Sequence, residues 1–456
     1  MENTVLVGLI SKMIADGKFS AVKDILIEMN AVDIAQTLSE VEPEIQVKLF
    51  RLLPKDSSAD VFSYLDTETQ SVIVDSISNK ELHNLVEGMF IDDAVDFLEE
   101  VPASVVTRVL AQANPDTRNL INRILNYPED SAGSIMTVEM AAFHEEDTAE
   151  DAINELRRTA EEKEAIDTCY VIDAQRKLIG SVSLRRLIIA PPSAKIKDIM
   201  FDDEQLIFVT TTDDQESVAQ LVRKYDLTSV PVVDNEKRLV GIITIDDVVD
   251  VIQEENTEDF EKMALLIPSD DDYMKTGVLK LTKNRIVWLL ILMISATFTG
   301  QIIEGFEDKL AAIAGLTACI PMLMDTGGNS GNQVSTLIIR GLALGTIKVK
   351  DYFRVLWKEI RVAVLCGVTL AAANFLRMLV IRAITHSDTT TPVIFVVCLA
   401  MVCAVIVAKM IGCSLPILAK VLHLDPALMA GPMITTIVDA LTLLIYFGFA
   451  NLFLKV

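Results

Sequence analysis

Residues 427–454, ALMAGPMITTIVDALTLLIYFGFANLFL, are apolar along nearly their whole length and contain a single charged side chain, Asp439. A segment of this length can cross a bilayer as one helix. Because a carboxylate is costly to place in lipid, an ionisable residue there usually marks an ion or proton path. The alternative is a buried acid that pairs with a distant base. That alternative is disfavoured because no Lys, Arg or His lies between Asp425 and Asp439.

The charge of the chain divides it into two parts. Residues 1–275 contain 56 acidic against 25 basic side chains, whereas residues 276–456 contain 9 against 15. We therefore expect a soluble, acidic first part and a membrane-embedded second part. An acidic excess of this size repels nucleic acid and attracts divalent cations. A nucleic-acid partner is therefore not expected.

The cysteines and the N-terminus give two further expectations. Five of the six cysteines fall in apolar segments without metal-site spacing, so they indicate packing rather than a zinc site or disulfide framework. The opening MENTVLVGLISKM lacks the profile of a signal peptide. The acidic part should therefore stay in the cytosol.

Residues 1–130 have helical periodicity, and a degenerate unit recurs about every thirty residues at Asp33, Asp60 and Asp93. This pattern predicts an acidic helical domain of stacked helix pairs, a small α-solenoid.

Residues 131–253 are duplicated. Leu178-Ile-Gly180 recurs as Leu239-Val-Gly241, at an offset of 61 residues. Each half reads helix, strand, turn, strand, helix, and the pair resembles tandem cystathionine-β-synthase (CBS) domains. The resemblance implies an α/β regulatory module, often dimeric and often a binder of adenine nucleotides. Residues 254–280 then predict a connecting helix.

Residues 281–456 predict a transmembrane domain of five helices, because each apolar segment is near the roughly 20 residues that a span needs. The segments are 286–303, 310–343, 362–384, 392–418 and 427–453, of which the second is too long for one straight span. The most basic loop holds Lys348, Lys350, Arg354, Lys358 and Arg361. The positive-inside rule therefore places the N-terminus in the cytosol and the C-terminus outside.

The last segment presents one polar stripe. On a helix, Gly431, Thr435 and Asp439 are one turn apart and share a face. Glycine in a membrane helix can free backbone carbonyls, which can face a cation in a cavity. Close packing of helices through small residues explains Gly431 equally well, but it does not explain Asp439.

The second segment contains PMLMDTGGNSGNQVST at residues 321–336. Asn329, Asn332, Gln333 and Thr336 follow helical spacing, and Gly328 with its neighbours permits close approach or local unwinding. Hydrogen bonding between helices is one interpretation. A wet path that this polar face lines together with Asp439 is the other.

These motifs resemble the MgtE family of Mg²⁺ channels and transporters. TGGNSGNQ at 326–333, Asp425-Pro-Ala, and Gly431-Pro followed by Asp439 carry the resemblance, and the domain order agrees along essentially the whole chain. The resemblance implies a homodimer with a pore between the subunits, in which the residue matching Asp439 binds Mg²⁺. The expected pore-lining residues are Gly431, Thr435, Gly328, Asn329 and Asn332.

The chemistry of Mg²⁺ suits this interpretation. Mg²⁺ prefers oxygen ligands and gives up water reluctantly, so two Asp439 carboxylates in a dimer would hold it hydrated rather than in a dry cage. Two empty carboxylates near one another would repel, which favours proton uptake or a divalent ion.

The acidic soluble part predicts regulatory metal sites. Asp92 and Asp96 lie one helical turn apart. The remaining candidates are Asp214, Glu216, Asp226, Asp247, Asp250, Glu255, Glu258, Asp259 and Asp425, the last of which could meet Asp259. Any one of them could be ordinary solvated surface. As a set, acidic faces that repel at low Mg²⁺ and are bridged at high Mg²⁺ would form a switch that closes the pore.

One departure bears on nucleotide binding. The CBS nucleotide pattern is Ser/Thr-x-x-Asp, which the second half keeps as Thr244-Ile-Asp-Asp247. The first half has Ser183-Leu-Arg-Arg186, so adenine nucleotide binding is doubtful there.

Together, these features predict a multi-domain, multi-pass protein of the inner or plasma membrane that is not an enzyme. We expect a homodimeric, lipid-embedded Mg²⁺ influx channel that cytosolic Mg²⁺ closes through the acidic and CBS domains. A proton-coupled divalent-cation transporter is the main alternative, although no inverted repeat is evident among the five segments. A receptor that the apolar segments merely anchor is a third.

Overall fold

The computed structural model describes residues 2–202, 206–269, 273–274, 276–306, 316–385, 390–429 and 431–454. The chain forms two compact units, Met1–Ile252 and Gln253–Val456.

The first unit begins with short helices: α1 (Glu2–Ala15), α2 (Phe19–Glu28), α3 (Ala31–Ser39), α4 (Pro43–Phe50), α5 (Lys55–Ser63), α6 (Thr67–Ser76), α7 (Asn79–Val86), α8 (Ile91–Glu100), α9 (Ala103–Gln112) and α10 (Pro115–Ile124). Local signals set several boundaries. Asp66 caps α6 by accepting a hydrogen bond from the Thr69 amide, and Ser78 with Glu81 forms a capping box on α7. The rings of Phe62 and Phe97 meet edge to face at 5.1 Å in the shared core. The predicted helical N-terminal domain is confirmed.

The duplicated region follows, with strands β1 (Met140–His144), β2 (Ala165–Ile172), β3 (Leu178–Ser183), β4 (Phe201–Asp202), β5 (Val209–Thr210), β6 (Ser229–Val233) and β7 (Leu239–Thr244). Its helices are α11 (Ala149–Thr159), α12 (Leu184–Ile189), α13 (Ile196–Ile199) and α14 (Gln215–Tyr225). The two halves repeat one topology, because β1 and β5 run parallel to β2 and β6, which in turn pair antiparallel with β3 and β7. The predicted α/β CBS pair is confirmed.

The repeated glycines have a packing reason. A Cβ on Gly180 would lie 2.6 Å from the Phe201 carbonyl oxygen and 2.8 Å from the Met200 sulfur. Gly241 meets Thr137 and Met136 in the same way. The Ile-Met motif of each half therefore packs so closely on the strand that any side chain larger than that of glycine would collide with it.

Helix α15 (Ile245–Met263) begins in the first unit and continues into the second. It covers the first part of the predicted connector. Residues 264–269 are not helical, and residues 270–272 and 275 of the connector lie outside the described residues.

The second unit continues with α16 (Val278–Glu304), α17 (Leu316–Ala343), α18 (Tyr352–Thr385), α19 (Thr391–Val421) and α20 (Gly431–Leu454). Among the described residues, four stretches are long and apolar enough to cross a membrane: Val278–Glu304, Val349–Ile384, Thr391–Val421 and Pro426–Leu454. Helix α17 corresponds to the predicted second span, whose first residues, 310–315, lie outside the described part. The count of five spans stays a prediction.

Helix α19 packs against α17, α18 and α20. Its contact with α17 is very close, because a Cβ on Gly412 would lie only 2.2 Å from the Gly331 carbonyl oxygen. No residue of α16 is buried, although the helix contacts α20. The helices that carry the candidate polar residues therefore form the packed core of this unit.

Candidate ion path and acidic cluster

Helices α17 and α20 meet through the glycines of the TGGNSGNQ segment. A Cβ on Gly328 would lie 3.0 Å from the Thr435 methyl carbon and 3.7 Å from Asp439 Oδ1. A Cβ on Gly327 would lie 2.8 Å from Thr442 Oγ1. The structure therefore brings Gly328 of the second segment against Thr435 and Asp439, which share a face of the last segment.

The start of α20 is tied to α17 by two hydrogen bonds. The Gly431 amide donates to Asn332 Oδ1 at 3.0 Å, and Ser335 Oγ donates to the Met429 carbonyl oxygen at 2.9 Å. Gly431 has φ +43°, a conformation that side chains other than glycine rarely adopt. The glycine and the Asn332 amide therefore fix where the last helix begins.

A polar stripe on α17 faces away from the packed core. Asp325, Asn329, Gln333 and Thr336 are exposed, and Asn332 is half-buried beside them. Asn329 Nδ2 donates to Asp325 Oδ1 at 2.9 Å. Amides and a carboxylate are costly against lipid. This stripe therefore requires water or another protein surface.

Asp325 is a candidate that sequence reasoning missed. The charge of its carboxylate acts on Asp439, although the two residues belong to different helices. The available signal was its position four residues before Asn329, which places both side chains on one face of α17.

Lys409 was also missed. It lies on α19 and is only 6% exposed. Within the described part of the chain, its ammonium has neither a hydrogen-bond partner nor an ion-pair partner. The available signal was a single charged residue inside an apolar span of the sequence.

In the first unit, carboxylates converge at the start of α8 and of α15. Asp92 is 6% exposed. Burial raises its pKa well above the ordinary value, and the nearby charge of Asp247 raises the pKa further. The carboxylates that act on one another here, the acidic cluster, are Asp60, Asp92, Asp93, Glu139, Glu164, Asp246 and Asp247.

The other members of the acidic cluster share this behaviour. Burial, followed by the charge of Asp247, raises the pKa of Asp93 to about 6. Burial also raises the pKa of Asp247 to about 6, against a lowering hydrogen bond from Thr244. Burial and the charge of Asp93 raise the pKa of Glu164 to about 7. Each shift has the sign expected for a carboxylate surrounded by other acids.

The acidic cluster has the donor chemistry of a Mg²⁺ site. All its ligands are oxygens, which Mg²⁺ prefers, and Glu164 Oε2 is buried without a hydrogen-bond partner in the described part of the chain. Within that part, however, no three acidic, His or Cys side chains are arranged as a finished metal site. The cluster would therefore have to contract around an ion.

The structure brings only some of the predicted regulatory residues together. Asp92 and Asp247 belong to the acidic cluster, and Asp250 borders it, with a pKa raised by burial and then by Asp246. Asp214 and Asp226 flank α14 at opposite ends, about 18 Å apart along the helix axis. Glu216 accepts a hydrogen bond from Gln220.

The remaining predicted regulatory residues lie on helices or loops without entering the acidic cluster as defined above. Asp96 is on α8, and Glu255, Glu258 and Asp259 are on α15. Asp425 forms an ion pair with Lys262.

A cavity of about 360 Å³ opens between the two CBS halves, and its lining includes Thr168, Tyr170, Ser183 and Asp226. Arg186 makes two contacts next to this cavity. Its guanidinium donates to the Ile199 carbonyl oxygen at 2.7 Å and lies 3.7 Å over the Phe201 ring. The residue that replaces the expected acid therefore braces the wall of the cavity.

Comparison with known proteins covers both units. Residues 320–449 match the MgtE divalent cation transporter family, residues 29–130 match the MgtE intracellular N domain, and residues 132–193 and 196–254 match the CBS domain. The chain is 36% identical to the magnesium transporter MgtE of Thermus thermophilus over the full length of both chains. It is 31% identical to that of Bacillus subtilis, over 97% of this chain and 96% of that one.

A solved structure agrees for the soluble part. The cytosolic domain of the Mg²⁺ channel MgtE, crystallised in complex with ATP, is 36% identical and has a TM-score of 0.51. The match covers 54% of this chain and 99% of that domain.

Proposed function

The chain belongs to the MgtE family, and from that premise we propose that it is a homodimeric Mg²⁺ channel, closed from the cytosol by Mg²⁺. Membership makes it a multi-pass magnesium transporter. Channel conduction, the dimer and the feedback by Mg²⁺ are the parts that we propose.

One observation carries the proposal for the path: an exposed polar stripe on α17 continues into the contact that Gly328 makes with Thr435 and Asp439. A second copy of the chain that covers this stripe would enclose a water-filled path between the two subunits. Asp439 would then be present twice at one level of the path.

Asp439 would bind Mg²⁺ in its hydrated form. The Thr435 hydroxyl, the side-chain oxygens of Asn329 and Asn332 and backbone carbonyls of these helices would accept hydrogen bonds from the water bound to the ion. Such groups hold a hydrated ion firmly enough to select it and loosely enough to release it.

Asp325 strengthens the proposal. With Asp439 it would give four carboxylates in a dimer, and its Asn329 hydrogen bond holds it on the polar stripe. We therefore assign Asp325 to the wall of the same path.

Regulation would depend on the acidic cluster. Burial and then the charges of neighbouring acids raise the pKa values of its carboxylates, and an ion with two positive charges would relieve that repulsion. Because α15 continues from the cluster region into the second unit, contraction around Mg²⁺ would act on the membrane domain through this helix.

The regulatory proposal extends to Asp96, Asp214, Glu216, Asp226, Asp250, Glu255, Glu258, Asp259 and Asp425. Those that lie apart from the acidic cluster in one protomer would each contribute less to closure than a member of the cluster.

The nucleotide proposal is narrower. The structural relative holds ATP in its cytosolic domain. In this chain Arg186 stands at the position of the ribose-binding acid and is engaged with Phe201 and Ile199. We expect adenine nucleotide to bind weakly, if at all, at the first half.

Recording from the full-length protein in planar bilayers tests the main proposal. With Mg²⁺ on one side at a time, we expect unitary currents that follow the electrochemical gradient of Mg²⁺ and cease when Mg²⁺ is raised on the side of the soluble domains. Uptake that instead requires a pH gradient, without unitary currents, would identify the proton-coupled transporter. If neither unitary currents nor uptake that depends on a pH gradient is observed, the receptor alternative remains.

Orientation is tested in intact cells. We expect the soluble part and the loop that contains Lys348 and Lys350 to face the cytosol, because the basic residues concentrate there. Labelling of that loop by a membrane-impermeant amine reagent added outside intact cells would contradict this topology.

A further inference from the structure

Lys262, at the end of α15, forms two ion pairs. Its Nζ lies 2.7 Å from Glu258 Oε1 and 2.7 Å from Asp425 Oδ2. Glu258 is one helical turn before it, whereas Asp425 belongs to the segment that leads into the last helix. A single ammonium therefore bridges the connector and the start of α20.

The bridge is more sheltered than an ordinary surface pair. The Lys262 side chain is 21% exposed. Burial lowers its pKa, but the hydrogen bonds to Asp425 and Glu258 outweigh this effect and leave the pKa above its usual range. The lysine therefore stays charged at physiological pH.

The second oxygen of Asp425 is also in use. Asp425 Oδ1 accepts a hydrogen bond from the Ala427 amide at 2.8 Å, which holds the carboxylate in place at the turn Pro426–Met429. A cation that approached Asp425 would therefore meet Lys262 on one oxygen and a backbone donor on the other.

Contacts other than the ion pairs keep the two segments together. Met263 packs with the buried residues Ile339 and Ala427, and a Cβ on Gly431 would lie 3.0 Å from the Met263 carbonyl oxygen. A separate hydrogen bond, from the Ile267 amide to the Asn284 carbonyl oxygen at 3.1 Å, ties the residues after α15 to α16. Loss of the Lys262 charge should therefore leave the joint assembled.

We propose that Lys262 is a tethered cation that occupies the Glu258–Asp425 pair, so that a divalent ion binds there only by displacing it. The inference rests on the proposed closure by Mg²⁺. It differs from a preformed metal site, because the two carboxylates are already neutralised in part. Lys262 thereby raises the Mg²⁺ concentration at which these carboxylates contribute to closure.

Lys262→Met tests the inference in the full-length protein, with Mg²⁺ flux into liposomes measured at increasing Mg²⁺ on the side of the soluble domains. Each variant is normalised to its own flux at the lowest Mg²⁺. We expect the half-closing concentration to fall about fivefold, the effect of removing a competing half-buried charge. Lys262→Arg should stay close to the wild type, because it keeps the charge.

Two further variants separate competition from a general change of charge. Lys420→Met removes an exposed lysine near the end of α19 and should not shift the curve. Asp425→Asn combined with Lys262→Met should cancel the shift, because the unpaired carboxylate is then absent.

The inference and the regulatory proposal fail in different ways. If the wild type does not close with Mg²⁺, the regulatory proposal is wrong and the tethered cation has no function there. If the wild type closes but Lys262→Met leaves the half-closing concentration unchanged or raises it, the inference alone is wrong.

Discussion

The acidic cluster and the surroundings of Asp439 both remove carboxylates from bulk water, but different groups surround them. In the cluster, burial raises the pKa of Asp92 and of Asp93, and repulsion by the charge of Asp247 raises both further. Around Asp439, Thr435 and the glycines of α17 supply neutral contacts, and Asp325 supplies one further charge. A bound ion can draw repelling carboxylates together, and such a movement suits a switch. A sparse charged site can release its ion, which suits a path.

The largest effect is expected at Asp439. Asp439→Ala removes the carboxylate that the last helix presents to Gly328, and we expect Mg²⁺ flux to fall to background in liposomes. Asp439→Asn keeps the shape and should fall nearly as far, because the charge binds the ion. Circular dichroism and size-exclusion elution should match the wild type. Undiminished flux in both variants would remove Asp439 from the path.

A smaller loss is expected at Asp325. Asp325→Asn keeps a polar side chain beside Asn329 but removes the second carboxylate, so flux at low external Mg²⁺ should fall about three- to tenfold, the effect of one weakened ion interaction. Saturating Mg²⁺ should restore most of the flux. Glu304→Gln, which removes an exposed acid at the end of α16, is the matched control. Equal losses in the two variants would show that only general surface charge matters.

Asp439 and Asp325 show which parts of the site could be predicted from the sequence and which could not. The spacing of Gly431, Thr435 and Asp439 fixes a shared helical face, and the order of domains follows from periodicity and duplication, so both could be predicted. The contact of Gly328 with Asp439 depends on how two helices pack, and only the structure shows it.

The acidic cluster shows the limit more clearly. Asp92 and Asp247 were predicted as separate regulatory candidates, but Asp93, Glu139, Glu164 and Asp246 were not. The cluster draws on α8, on α15 and on residues next to β1 and β2, which are far apart in the sequence. Lys262 was missed for a related reason, because its partners become known only when the end of α15 is placed beside Asp425.

The third expected effect is a loss of thermal stability as the pH rises. The folded cluster raises the pKa of Asp93 and Asp247 to about 6 and of Glu164 to about 7, so these groups bind protons more tightly when folded than when unfolded. Stability should therefore fall as pH rises from the unfolded pKa values, near 4, through the folded ones. In Mg²⁺-free buffer, we expect the Tm of the full-length protein to be a few degrees lower at pH 8 than at pH 6.

Mg²⁺ should reverse this loss, and more at pH 8 than at pH 6, because only ionised carboxylates repel one another. Glu164→Gln should reduce both the pH dependence and the response to Mg²⁺, as measured by differential scanning fluorimetry. A Tm that rises with pH in the absence of Mg²⁺ would contradict the conclusion that the carboxylates of the acidic cluster repel one another in the folded protein.

The smallest effect is expected at Glu216, which the sequence proposed as a metal ligand but which lies outside the acidic cluster. Its carboxylate accepts a hydrogen bond from Gln220 on the same helix. Glu216→Gln should therefore change the half-closing Mg²⁺ concentration less than about twofold, within the range of a solvated surface charge. Asp247→Asn, measured beside it, should raise that concentration severalfold, because it removes a carboxylate that repels Asp92 and Asp93. Equal shifts in the two variants would mean that total acidity of the soluble part, rather than convergence at one cluster, sets the response to Mg²⁺.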